Sequence, residues 1–92
     1  MRLYEFVVVI KSSLSETERK KLVDTIKSWL KDVKIATEEE WGSKALRYKI
    51  KHELMGVYYK FDLESEKGLP NDFEKRLLGN DNILRHLVIR KK

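Results

Sequence analysis

The sequence predicts an α+β domain with the element order β-α-β-β-α-β, and three observations carry that expectation. Residues 3–10 read Leu-Tyr-Glu-Phe-Val-Val-Val-Ile, seven apolar in eight and rich in β-branched and aromatic types, as in a strand covered on both faces. Two stretches, around 22–33 and 73–78, place apolar residues at helical spacing. Between them, residues 45–63 alternate apolar and polar with a period of two, interrupted once, as a hairpin does.

In the first strand, Tyr4, Phe6, Val8 and Ile10 point one way, and Leu3, Glu5, Val7 and Val9 the other. The all-apolar set is assigned to the core. Ser12, Ser13, Leu14 and Ser15 make a turn, and Ser15 followed three residues later by Glu18 fits a helix capping box with Leu14 as its hydrophobic staple. Leu22, Val23, Ile26, Trp29, Leu30 and Val33 trace one stripe of an amphipathic helix running to about Lys31, with Lys20, Lys21, Asp24 and Lys27 on its solvated back. Next, Leu46, Tyr48 and Ile50 alternate with Ala45, Arg47, Lys49 and Lys51 in a strand with one apolar and one basic face, and Gly42 marks a bulge or bend. Residues 51–56 are read as a hinge, followed by a third strand with Val57, Tyr59, Phe61 and Leu63 on one side. Pro70 or Asn71 starts a second helix that turns Phe73, Leu77 and Leu78 inward, and Gly79 ends it in a left-handed C-cap. Residues 83–89 form the last strand, and Arg90, Lys91 and Lys92 a basic tail.

With right-handed crossovers this order gives the split β-α-β arrangement. Residues 1–92 then form a single ferredoxin-like sandwich, a four-stranded antiparallel sheet with both helices on one face and strands one and three central. The other face is open. There Leu3, Val7, Val9, Leu87 and Ile89 are expected beside Glu5, Tyr58, Lys60, Arg47, Lys49 and Arg85, and an apolar patch of that kind marks a contact site for a partner.

Composition narrows the function. The chain has no cysteine, two histidines, a net charge of +5 and a pI near 9.5. These exclude a disulfide framework and a thiolate metal site, and no metal or cofactor is expected. No apolar run reaches the roughly 18 residues of a membrane span, and a cytoplasmic location is expected. Basic residues concentrate at 41–60, where Lys44, Arg47, Lys49, Lys51 and Lys60 face one acid, Glu53, and at 83–92, where Arg85, Arg90, Lys91 and Lys92 face none. There is no glycine-rich phosphate loop, no nucleophile elbow and no His-carboxylate cluster, so the chain does not read as an enzyme. Hydrolases of phosphate anhydrides that share this fold need a loop of backbone amides, and residues 10–14 lack the glycines for one. The consecutive Glu38, Glu39 and Glu40 point to alternating sides of an extended chain and read as a solvated charge run. His52 reads as exposed in a turn, and His86 as packed or facing a partner. The RNA-recognition module shares the topology, and Gly56-Val57-Tyr58-Tyr59-Lys60-Phe61 faintly matches its third-strand motif. The phase is wrong, however: Tyr4, Phe6, Tyr59 and Phe61 fall on the helix side, and Tyr58 alone is left to stack on a base.

Several of these stretches together carry a more specific likeness. Met1-Arg2-Leu3-Tyr4-Glu5, then Trp41-Gly42-Ser43-Lys44-Ala45-Leu46-Arg47-Tyr48-Lys49-Ile50, then Gly56 with Tyr58, then Asp81-Asn82-Ile83-Leu84-Arg85 occur in the order and spacing of one family. The chain thereby resembles the bacterial small-subunit (30S) ribosomal protein S-six family over nearly its whole length. The resemblance implies a ferredoxin-like fold, no catalysis, and a structural role on the ribosome, binding the central domain of 16S ribosomal RNA together with ribosomal protein S-eighteen. RNA contacts are expected from Arg2 and Arg85, which match the family pattern, and from Lys44, Arg47, Lys49 and Arg90. Leu3, Val7, Val9, Leu87 and Ile89 are the expected partner surface. The chain departs from the pattern at Ala45, usually basic, at Arg47, usually Ala, and at Asn80, usually Arg. The alternative reading is a free-standing RNA-binding module of the same topology.

Overall fold

The computed structural model of the chain describes residues 2–91; Met1 of the opening motif and Lys92 of the basic tail lie outside the described residues. Six elements follow in the predicted order: β1 (Arg2–Lys11), α1 (Glu16–Ser28), β2 (Lys34–Ile50), β3 (Glu53–Ser65), α2 (Phe73–Leu78) and β4 (Ile83–Lys91). All pairings are antiparallel and the sheet runs β2-β3-β1-β4. β1 is therefore paired along both edges, with Phe6, Val8 and Ile10 under the helices and Leu3, Glu5, Val7 and Val9 on the helix-free face.

Phe6, Val8 and Ile10 are fully buried under α1 and α2, in one cluster with Leu22, Val23, Ile26, Phe73 and Leu77. Burial of side chains of this size contributes about 1.5–3 kcal/mol each. Aromatic geometry adds to it: the Phe6 ring stacks on Phe61 at 5.6 Å between centroids and meets Phe73 edge-on at 5.2 Å. The phase inferred for β1 and β3 thus stands, and with it the burial of the aromatics that the RNA-recognition module would need in the open.

α1 begins as its sequence requires. Ser15 Oγ accepts a hydrogen bond from the Glu18 amide at 3.2 Å, Glu16 and Glu18 occupy the first turn, and Lys27 the last. The helix ends at Ser28, earlier than the expected Lys31. Trp29 and Leu30 close it with short bonds to the Ile26 and Lys27 carbonyls, and Asp32, at φ 59°, redirects the chain into β2.

Gly42 lies at a bulge, as expected. Glu40 pairs with Tyr59 and Gly42 with Tyr58, leaving Trp41 as the extra residue, and Gly42 takes a φ of 82° that other residues rarely adopt. The hinge of six residues is corrected to two. Lys51 and His52, at φ 50° and 65°, make the left-handed turn that a tight hairpin requires, and residues 53–56 already belong to β3. Neither residue is the Asn or Gly that normally announces such a turn.

α2 is one and a half turns long. Phe73 and Leu77, four apart, share its inner side, whereas Leu78 sits about a hundred degrees further round and is 71% exposed, so its predicted inward position is wrong. Gly79 ends the helix with a right-handed φ of −78°, not the expected left-handed one, because its amide simply continues the ladder to the Lys75 carbonyl at 3.0 Å.

Candidate nucleic-acid interface

The open face is electrically divided. Near the start of β1 its charges neutralise one another. Lys60 Nζ lies 3.3 Å from Glu5 Oε1 and 3.9 Å from Glu39 Oε2. Lys91 Nζ donates to Asp62 Oδ1 at 2.9 Å, and the Thr37 hydroxyl donates to the other carboxylate oxygen. The bonds from Thr37 and Lys91 hold the Asp62 carboxyl below the usual carboxylate range, while the bond to Glu5 raises the Lys60 ammonium above its usual value.

Toward the β2–β3 turn the same face carries uncompensated charge. Among the described residues, Lys44, Arg47 and Arg85 have no carboxylate within 4.0 Å, and neither has Lys49 near the turn. Lys44 Nζ instead lies 5.2 Å from the Trp41 ring centre and 5.8 Å from that of Tyr58, and the Arg47 guanidinium is 5.8 Å from the Tyr48 ring.

β1 ends against Gly56, so the hairpin beyond it has no strand behind it and overhangs the end of the sheet. Its tip bends toward β4, where Lys51 Nζ donates to the Ile83 carbonyl at 3.2 Å; on the other side Ser13 Oγ donates to Glu53 Oε1 at 2.8 Å. A cleft of about 550 Å³ results, walled by Val9, Leu46, Ile50, Tyr58, Leu84 and Arg85. Arg47 and Tyr48 stand at the same cleft, and a depression of about 380 Å³ continues from it past Val7 and Leu87.

The overhang corrects the reading of β2. Leu46, Tyr48 and Ile50 were expected on a core-facing side, with Arg47 and Lys49 over the open face. None of the three joins the core, and Tyr48 is 73% exposed. Leu46 packs on the open side instead, near Gly56, because Lys44 pairs opposite Gly56 on that side and Leu46 follows two residues on. Beyond Ala45 the register is irregular until Ile50, and none of Leu46, Tyr48 and Ile50 belongs to the buried cluster under the helices. The overhang also leaves Leu54 and Met55 exposed, which the alternating pattern alone does not reveal.

The remaining predicted residues fall in three places. Leu3, Leu87 and Ile89 are exposed on the open face, Leu87 by 54% and Ile89 by 48%, and Val7 is half-buried between them. Val9 is not exposed with them: it is only 4% exposed, roofed by Leu46, Tyr58 and the close backbone of Gly56, and forms the floor of the cleft. Arg2 and Arg90 stand opposite Ser65 and Tyr4 in the ladders, on the helix-bearing side, where Arg2 Nη1 donates to the Lys67 carbonyl at 3.2 Å. The six basic residues therefore do not converge; Lys44, Arg47 and Arg85 share the cleft end, Lys49 is exposed on the overhanging hairpin, and Arg2 and Arg90 lie at the far end of the other face.

Glu38, Glu39 and Glu40 alternate in direction as expected but are not merely solvated. Glu38 pairs with Lys27 at 2.6 Å, Glu39 reaches Lys60, and Glu40 lies opposite Tyr59 in the ladder; the Tyr59 phenol is raised by burial and then by the Glu40 carboxylate. His52 is exposed in the turn, and His86 packs on the helix side with Nε2 3.3 Å from Glu74 Oε1. Among the described residues no group of three or more His, Cys, Asp or Glu could hold a metal ion, and no helix is long and apolar enough to cross a membrane.

The fold is a ferredoxin-like sandwich with a helix-free face, part basic and part apolar, an architecture that many unrelated functions share. The comparisons give the family. The ribosomal protein S6 family matches residues 3–90, and the chain belongs to it. It is 30% identical over 91 residues to small ribosomal subunit protein bS6 of Alkaliphilus oremlandii, covering 98% of this chain and 97% of that one. Against bS6 of Rickettsia bellii the identity is 33% over 90 residues, covering 96% of this chain and 75% of the relative. The crystal structure of 30S ribosomal protein S6 from Thermotoga maritima superposes with a TM-score of 0.89 at 25% identity, over 98% of this chain and 87% of that one. The protein is thus a bacterial small-subunit ribosomal protein, structural and not catalytic.

Proposed function

We propose that residues 1–92 act as one domain that binds the central domain of 16S ribosomal RNA together with ribosomal protein S-eighteen, as the family resemblance implies. One observation carries this: the uncompensated cations Lys44, Arg47 and Arg85 gather toward one end of the open face, while the exposed apolar residues Leu3, Leu87 and Ile89 lie largely beside neutralised ion pairs. The first end suits phosphates and the second a protein surface. Arg2 and Arg90, at the far end of the helix-bearing face, would make an RNA contact separate from this one. The alternative of a free-standing module stacking bases across the two central strands is disfavoured by the burial of Phe6 and Phe61.

Binding of a transcribed central-domain RNA fragment, measured with S-eighteen present over a range of salt, tests the proposal. Arg85→Ala should weaken binding and flatten the slope of log K against log salt by about 0.7–0.9, the share of one phosphate contact. Loss of affinity at unchanged slope would assign Arg85 to a base or protein contact.

A further inference from the structure

We propose that the cleft beneath the β2–β3 overhang receives one unstacked nucleotide of the bound RNA, its base against Tyr58 and Leu46 and its phosphate on Arg85 and Arg47. The proposal deepens the RNA-binding reading and rests on it.

Size and lining both fit. At about 550 Å³ the cleft falls within the roughly 300–1,000 Å³ of small-ligand sites. Val9, Leu46, Ile50 and Leu84 give it an apolar interior, and Tyr58 supplies an aromatic ring. A base is a flat apolar-faced group of this kind, and bases drawn out of a stack are received by aromatic rings and guanidinium planes. The neighbouring Tyr48, largely exposed on the overhang, and the Arg47 guanidinium 5.8 Å from its ring are free to close over such a base from the outer side.

Charge decides between RNA and a protein segment. A peptide inserted here would bring its apolar side chain next to Arg47 and Arg85, neither of which has a carboxylate within 4.0 Å among the described residues, and Lys44 stands against Tyr58 as a third cation. A nucleotide brings its own anion on the same residue as the base, which matches the apolar interior and the cationic rim together. The depression around Val7 and Leu87 is continuous with the cleft through Val9, Tyr58 and Arg85, so a base seated here would lie beside the proposed protein surface.

The test uses a central-domain RNA fragment carrying 4-thiouridine at random positions, bound to the full chain with S-eighteen, irradiated and mapped by mass spectrometry. Crosslinks from one uridine to Tyr58, Tyr48 or Leu46 are expected. Tyr58→Ala should lower affinity about five- to a hundredfold, the range of a lost aromatic–base stack, with the salt slope unchanged because no phosphate contact is removed. Intact binding with crosslinks confined to residues outside the cleft, or a Tyr58→Ala protein that binds as tightly as the parent, would overturn the cleft assignment alone. Protection of Leu46 and Tyr58 from hydrogen exchange by S-eighteen without RNA would give the cleft to the protein partner and likewise overturn it. Failure of the unaltered chain to bind the fragment at all would overturn the RNA-binding reading beneath it.

Discussion

Gly56 offers the sharpest test of how the cleft is built. It sits in β3 opposite Lys11 and Lys44, with no positive φ, so its backbone conformation is open to alanine. The obstacle is steric. A Cβ at this position would come under 3.0 Å from Cγ1 of Val9 and 3.5 Å from both the Ile10 carbonyl and Cδ2 of Leu46. Val9 cannot easily yield, because its β-branched side chain is stiff at χ1 and it is itself buried. Overpacking of this kind costs about 1–3 kcal/mol, against which alanine recovers about 0.4–1 kcal/mol by restricting the unfolded chain. Gly56→Ala should therefore destabilise by about 1–2 kcal/mol. For a domain this small that lowers the melting temperature by roughly 5–15 °C.

Denaturant unfolding at constant m gives the measurement, and Val9→Ala supplies the control. Val9→Ala alone loses packing, but in the double variant the overlap disappears. The two costs should then fall short of their sum by about 1 kcal/mol, a coupling in the range seen for residues in contact. Additive costs, or a Gly56→Ala protein as stable as the parent, would refute the view that Val9 and Gly56 meet closely enough to require glycine.

Phe73→Ala removes a fully buried ring that packs on Phe6 and should cost about 3–5 kcal/mol by denaturant unfolding, enough to threaten folding of so small a domain. Leu78→Lys, on the exposed side of the same helix, should stay within about 0.5 kcal/mol of the parent; a larger loss would mean α2 is rotated from its described position. Because Asp62 titrates lower when folded than the roughly 3.9 of an unfolded aspartate, its stabilising contribution is complete above that value and is lost as pH falls through the folded value. Melting temperatures measured from pH 6 down to pH 2 should decline less steeply in Asp62→Asn than in the parent.

Legibility in the sequence tracked how completely an element is enclosed. β1, flanked by β3 and β4 and covered by helices, has its facing set by core packing, and the alternation of Phe6, Val8 and Ile10 reveals it directly. Ser15 and Glu18 marked the start of α1 for an equally local reason, since the cap bonds form within four residues. Errors gathered where tertiary context replaces local pattern. Leu78 has the composition of a core residue, but α2 is too short for a third buried position. Gly79 has the freedom for a left-handed cap, yet nothing in the bonding of the turn demands it.

The hairpin is the instructive case, because there the pattern was read correctly and its consequence was not. Leu46 and Ile50 do alternate with Arg47 and Lys49, and alternation in a sheet normally separates core from solvent. That inference assumes a sheet long enough to supply the core, and β1 ends at Lys11, opposite Gly56. Past that point the hairpin has no β1 beside it, and Leu46 and Ile50 are partly buried by leaning over the end of the open face toward Val9 and Leu84. The chain length between Gly42 and the turn at Lys51 thus sets the size of the overhang, and the overhang makes a cleft where a plain sheet would be flat. The departures from the family pattern at Ala45 and Arg47 act here: Ala45 lies opposite Met55 on the side away from Gly56, whereas Arg47 stands at the cleft beside Tyr48. A positive charge two residues along β2 from the family's usual place stands at the rim of a part of the open face that is both concave and uncompensated.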